Sequence, residues 1–230
     1  MSSIMKLENV TLEYPVPRRY RDSSIQPSGV RNISFAVKKG EVLGIIGRNG
    51  SGKSTLLKMM AGVFPPDDGV ISLRGTVSLL AGVGVGFHKD LTGRENAYLY
   101  GALMGRSRKD IDLLISEIQD FAELEHHFDR TLRTYSSGMK SRLGISVATS
   151  FKPDILLIDE VLGVGDAAFK EKSKARVRKL IDESGSVIIV SHSYTMLSQI
   201  CDRILVLDAG GLVSLTNPKD AIQIYQNLIQ

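Results

Sequence analysis

Several things are scarce in this chain, and each scarcity closes off a class of protein. Of its 230 residues only Cys201 is a cysteine and none is a tryptophan. One thiol cannot build a disulfide framework, and its setting in "QICDRILVLD" reads as a small buried hydrophobe in a protein of a reducing cytosol. No apolar run approaches the roughly 18 residues that can span a bilayer, and no charged-then-apolar leader opens the sequence, so any membrane role is expected to run through a partner. Charge of one sign is not in excess either. The 29 basic and 25 acidic residues are interspersed, and a net charge of +4 argues against a dedicated nucleic-acid groove. Internal repeats and low-complexity segments are absent.

What remains is an ordinary globular composition, 43% apolar, in a length suited to one sizeable domain or a core with an inserted subdomain. "IMKLENVTLEY" and "RNISFAVKKG" alternate apolar and polar residues as half-buried antiparallel strands do. The stretch between them, "PVPRRYRDSSIQPSG", reads as an unusually long loop. "EVLGIIG" is then followed by a glycine-rich turn and a helix from about Lys53 to Ala61, stopped by Gly62, Pro65 and Pro66. From Leu91 to Phe151 only helical patterns occur. After them "DILLID", "SVIIVSH" and "RILVLD" are short Ile/Val-rich runs alternating with helical stretches, the pattern of buried strands in a largely parallel sheet.

"GRNGSGKST", Gly47 to Thr55, fits G-x-x-x-x-G-K-[ST] between an apolar strand and a helix. Gly47, Gly50 and Gly52 let backbone N–H groups, including those around Asn49 and Ser51, turn inward on phosphate oxygens. Lys53 supplies charge to the β and γ phosphates, and the Ser54 hydroxyl can ligate Mg²⁺. Downstream, "DILLIDE" ends an apolar run on Asp159 and Glu160. That pair is either a solvated strand end or a Mg²⁺ carboxylate, Asp159, followed by a base for attacking water, Glu160. With both motifs present, a nucleotide triphosphatase is expected. His192, just past another strand, is either a backbone-bonded strand-end histidine or a third polar group for the γ phosphate and water. Asp166 is a helix N-cap candidate before Ala167. A second anion site is offered by "YSSGM", where Ser136, Ser137 and Gly138 open an amphipathic helix.

These residues, in this order and across nearly the whole chain, resemble the ATP-binding cassette ATPases. "GRNGSGKST" looks like Walker A, "ILLIDE" like Walker B, "GVGD" with Asp166 like the D-loop, His192 like the switch histidine and "YSSGM" like the cassette signature. The resemblance implies an α/β P-loop NTPase (RecA-like) core with an antiparallel β-subdomain and an inserted all-helical subdomain. The expected division is a core of 1–90 and 151–230 with a helical subdomain of 91–150. It implies ATP and Mg²⁺ as cofactors and a head-to-tail homodimer in which each signature closes over the other's nucleotide. Glu160, His192 and Lys53 would be catalytic. Nucleotide would be held by Tyr14, Gly47, Asn49, Gly50, Ser51, Gly52, Lys53, Ser54, Thr55, His88, Asp166 and the partner copy's serine-tipped helix. Ser54 and Asp159 would hold the metal. Tyr14 stands where the family stacks an aromatic on adenine, or else packs at a strand end.

The usual signature is L-S-G-G-Q; here Tyr135, Ser137 and Met139 replace three of its residues, and His88 is closest to the place of the family's Q-loop glutamine. Both departures resemble the subgroup that exports O-antigen, capsule and teichoic acid. That subgroup implies a peripheral subunit on the cytoplasmic side of the inner membrane, working beneath an integral-membrane permease dimer that docks near Phe87 to Asp90. A carbohydrate-binding domain after the cassette is not expected. "RRYR" in the long loop reads as a solvated run or as a contact with acidic lipid or permease. His126 and His127 are expected on different helix faces, with no shared metal.

Overall fold

The computed structural model describes residues 3–15, 28–80, 86–159, 167–183 and 185–229. It divides into two compact units, residues 1–75 with 185–230, and residues 76–184.

In the first unit, β1 (Ser3–Tyr14) pairs antiparallel with both β2 (Ser28–Lys38) and β4 (Asp68–Leu73). Alternation along β1 slips where the register shifts between Leu7 and Val10. Asn9 takes φ 51° there, a left-handed conformation its short amide tolerates, and its backbone N–H donates to Ser34 Oγ at 2.8 Å. The second sheet of this unit is β3 (Val42–Gly47) between parallel β7 (Ser186–Val190) and β8 (Arg203–Asp208), with β9 (Gly211–Thr216) antiparallel on β8. All five residues of β7 are buried, as a strand covered on both faces requires.

Helix α1 (Lys53–Met60) places Leu56, Leu57, Met59 and Met60 in the core and stops where Gly62, at φ 72°, sends its N–H to Met59 O. Two more helices, α6 (Tyr194–Ile200) and α7 (Pro218–Ile229), complete the unit. Cys201 follows α6 and is buried, with Gly44 so close that a Cβ there would lie 3.1 Å from Sγ.

The second unit carries β5 (Val77–Leu80) parallel to β6 (Ile155–Ile158). Between them lie α2 (Gly93–Leu103), α3 (Arg108–Ala122) and α4 (Ser137–Ser150), and α5 (Ala167–Glu183) follows. Helices α2 and α3 open with complete capping boxes, Thr92 with Glu95 and Ser107 with Asp110. Helix α5 is tied to α3 and α4 through Glu123, whose carboxylate takes Lys172 Nζ at 2.7 Å and Arg142 Nη1. Those two cations hold the Glu123 carboxyl below the usual range. Phe121 underlies Arg176 and Lys172, at 4.3 and 4.6 Å from its ring centre.

The strands β4, β5 and β9 are additional to those the sequence predicts. One expectation is corrected. His126 and His127 do not point to different faces; they lie in a 3-10 turn (Glu125–Asp129) entered through Glu125 at φ 43°, and their rings stack 4.1 Å apart.

Burial pushes the Cys201 thiol up to about 12 and, with help from nearby Asp129, the Tyr135 hydroxyl up to about 12. Raised folded values contribute stability that is complete below the unfolded values, about 8.5 for Cys and 10 for Tyr, and is lost as pH climbs through the folded ones. The urea midpoint is therefore expected to fall from pH 9 to 12, and less so in a Cys201→Ala, Tyr135→Phe double variant. At pH 8 the native thiol is expected to react with a thiolate-directed reagent at least about a hundredfold more slowly than in the unfolded chain.

Candidate functional site

The loop Gly47–Gly52 runs from the end of β3 into α1, and its glycines are required by their surroundings. A Cβ on Gly47 would stand 2.2 Å from Leu207 O, and one on Gly52 would stand 2.6 Å from both Gly29 O and Val30 Cγ1. Gly50 and Gly52 hold φ 81° and 100°, where side chains are strained. Gly52 is also the N-cap of α1, so no side chain accepts a hydrogen bond from the first turn. A helix start without a capping side chain suits an anion, and the helix dipole favours one. Lys53 Nζ lies over the loop, donating to Gly47 O and Arg48 O at 2.8 Å each. Ser54 is exposed and Thr55 half-buried, while Asn49 is exposed.

Ser51 is buried, and its backbone turns the loop: its N–H donates to Arg48 O at 3.1 Å and its carbonyl accepts from Gly210 N at 3.2 Å. That second bond brings in a turn the sequence did not suggest. Between β8 and β9, Ala209 and Gly210 take φ 44° and 82°, and Gly210 O accepts from Arg31 N at 2.8 Å. Arg31 also donates to Ala209 O at 3.3 Å and pairs with Glu13. A Cβ on Gly210 would lie 2.8 Å from Gly29 O. Three glycines distant in sequence, at 29, 52 and 210, thus meet behind the phosphate-type loop. No local pattern could have revealed this, because the contacts join segments about 180 residues apart.

Tyr14 ends β1 beside α1. Its ring meets Phe64 edge-on at 6.4 Å, its hydroxyl accepts from Thr55 Oγ1 at 3.4 Å, and 39% of the residue remains exposed. Packing and an open face thus coexist. His192 lies two residues beyond Val190, which is paired with Ile45, so it leaves its strand at the same sheet edge as the Gly47–Gly52 loop. It is exposed.

In the second unit, Asp159 follows β6 half-exposed, its N–H bonded to Leu80 O at 2.9 Å. Glu160 and Asp166 lie outside the described residues, as do most of the 15–29 loop and its arginines. Ser136 is the N-cap of α4, its Oγ accepting from Met139 N at 3.2 Å. A hydroxyl that accepts can still donate, so the exposed Ser136 keeps a donor for a ligand. Ser137 is exposed next to it, and a Cβ on Gly138 would meet only Ser136 Oγ, at 3.8 Å, so the approach to this helix start is open. Tyr135 is buried, with its hydroxyl donating to His127 O at 2.7 Å. His88 is exposed, and its main chain is held by Asn96.

The family model described as ABC transporter matches residues 30–163. The O-antigen export system ATP-binding protein RfbB of Klebsiella pneumoniae is 37% identical over 98% of both chains. The teichoic acids export ATP-binding protein TagH of Lactococcus lactis is 37% identical over 87% of this chain and 43% of its own length. A solved dimeric ATP-binding cassette, described as a post-hydrolysis state bound to ADP and Pi, matches with a TM-score of 0.71. It is 24% identical and covers 93% of this chain and 98% of that one. The shared fold is that of these α/β nucleotide-binding proteins.

The loop's dependence on its distant buttress is testable. In Gly210→Ala the new methyl would sit at a strained positive φ against Gly29 O, which displaces the Ser51 contact. A strain of about 1–2 kcal/mol expressed there weakens binding of a fluorescent ATP analogue by about tenfold, with the circular dichroism spectrum unchanged.

Proposed function

The chain belongs to the ABC transporter family, and on that premise we propose that it is the ATP-hydrolysing subunit of an exporter. Its cargo is a lipid-linked cell-surface polysaccharide of the O-antigen, capsule or teichoic acid kind, moved through a separate membrane permease. The near full-length similarity to an O-antigen export ATP-binding protein supports the transport assignment. The observation that carries the catalytic one is the uncapped start of α1 beneath Lys53.

Two copies are arranged head to tail. The Gly47–Thr55 segment of one holds the triphosphate, and Ser136, Ser137 and Gly138 of the other approach the γ phosphate. Lys53 exchanges its two carbonyl partners for phosphate oxygens at little reorganisation cost, because the ammonium already lies over the loop. Tyr14 offers its open face to the base. Glu160 accepts a proton from the attacking water, His192 orients the γ phosphate, and Asp166 helps join the copies. The leaving group is ADP.

Ser54 and Asp159 present oxygen donors of the hard kind that Mg²⁺ prefers, so the donor chemistry fits. When bound, that ion offsets negative charge on the phosphates.

Among the described residues no helix is long and apolar enough to cross a membrane. We place the subunit at the cytoplasmic membrane face through the permease. Leu103 supports a docking surface near Phe87, being 62% exposed while its Cδ1 lies 3.5 Å from the Cβ position of Gly86. His88 takes the Q-loop place beside it.

The purified chain is expected to hydrolyse ATP with a rate per subunit that rises with protein concentration. Ser136→Ala combined with Gly138→Val should lower turnover by about 10²–10³ while leaving ATP-analogue affinity within twofold. Glu160→Gln should trap an ATP-bound dimer, read by light scattering. Undiminished hydrolysis by the signature variant at concentrations where the chain is monomeric would overturn this reading.

A further inference from the structure

Two stretches of chain in the second unit run side by side, residues 88–93 and residues 130–135. Arg133 N donates to Lys89 O and Leu132 N to Leu91 O, both at 3.0 Å, and Gly93 N to Arg130 O at 3.3 Å. Thr92 and Thr131 form an antiparallel bridge between these bonds. Ion pairs clasp the outside. Arg133 meets Asp90, and Arg94 reaches Asp129 through Nε at 2.6 Å and Nη2 at 3.1 Å.

The inner side is fastened by one amide. Asn96 is 0% exposed, and its Nδ2 donates to the carbonyls of His88, Leu91 and Thr92 at 3.1, 3.2 and 2.8 Å. Its Oδ1 accepts from His88 N at 2.7 Å. Both ends of a buried amide are thus spent on the main chain of a single turn. At the far end of the strap, Tyr135 donates to His127 O at 2.7 Å, and a Cβ on Gly93 would stand 2.4 Å from that hydroxyl. Glycine at 93 is what allows a tyrosine at 135, so these two positions form one packing unit. The next residue is Ser136.

Slippage between the two stretches would break several backbone hydrogen bonds at once, and no spare residue separates Tyr135 from the helix start. We propose that the Thr131–Tyr135 strap transmits the position of the His88–Leu91 turn to Ser136, with Asn96, Tyr135 and the Asp90–Arg133 pair as positioning residues. This inference rests on the proposed role of Ser136 at the γ phosphate.

The Asp90–Arg133 pair is the place to test it. Its side chains are 45% and 59% exposed, and exposed ion pairs add little to stability. The full chain is compared with Asp90→Arg, Arg133→Asp, the double exchange, and Tyr135→Phe. Each single reversal is expected to lower kcat for ATP hydrolysis by about tenfold, with the urea midpoint and the affinity for an ATP analogue unchanged. The double exchange should recover most of the loss. Tyr135→Phe should lower kcat in the same way, again without changing analogue affinity. Single reversals with normal kcat, or a double exchange no better than either single, would overturn the strap. Absence of any Ser136-dependent turnover in the unaltered chain would instead overturn the proposed function.

Discussion

The structure is organised around a helix start that no side chain caps. Every α-helix begins with N–H groups that lack an intrahelical acceptor, and most helices of this chain satisfy some of them with a side chain. Thr92 and Ser107 do so with full capping boxes, Ser193 caps α6, and Asn217 accepts from Asp220 N at the start of α7. Among the described residues α1 is the exception. Its cap is Gly52, which has no side chain to offer the first turn. What would be a defect in a structural helix is here a terminus of the right polarity for phosphate, and the glycines, lysine and hydroxyls around it follow from that single requirement. Helix α4 sits between the two cases: Ser136 accepts one backbone hydrogen bond yet retains a proton to give.

A glycine-rich loop at strained positive φ is costly to hold in isolation, so the fold supports it from behind. Gly29 and Arg31, from the start of β2, and Gly210, from the turn between β8 and β9, hold Ser51 and Gly52 in place. The contrast with the buried carboxylate elsewhere in the same unit is instructive. Glu41 is 5% exposed and fully engaged, taking Arg203 Nε and Lys38 N at 2.7 Å each, and it fixes where β2 turns into β3. One polar cluster is closed on itself and structural. The other stays open and invites a ligand.

How much of this was legible in the sequence depended on the range of the interactions involved. The strands β3, β7 and β8 were readable because a strand buried on both faces must be a continuous apolar run, and the α1 loop because its chemistry is local. β4 was not, since "DGVISL" is largely exposed and shows neither clear alternation nor a solid apolar run. β5 is four residues long, too short to show a period. The paired histidines were misplaced because helical periodicity was assumed where Glu125 at positive φ begins a tighter turn. In the signature, the exchange of Leu for Tyr135 was visible as a departure. Its reason was not, because the accommodating glycine lies 42 positions earlier. The Gly210 buttress shares that character: it is a tertiary contact between segments that carry no mark of one another.

Cys201 has a practical side. Because the sole sulfhydryl of this polypeptide is shielded against Gly44, any cysteine engineered on the surface would be the only one a spin label or fluorophore could readily modify. The wild-type background is in effect already blank for distance spectroscopy. A ruler could be laid between two copies, or between the two units of one, without first editing the interior.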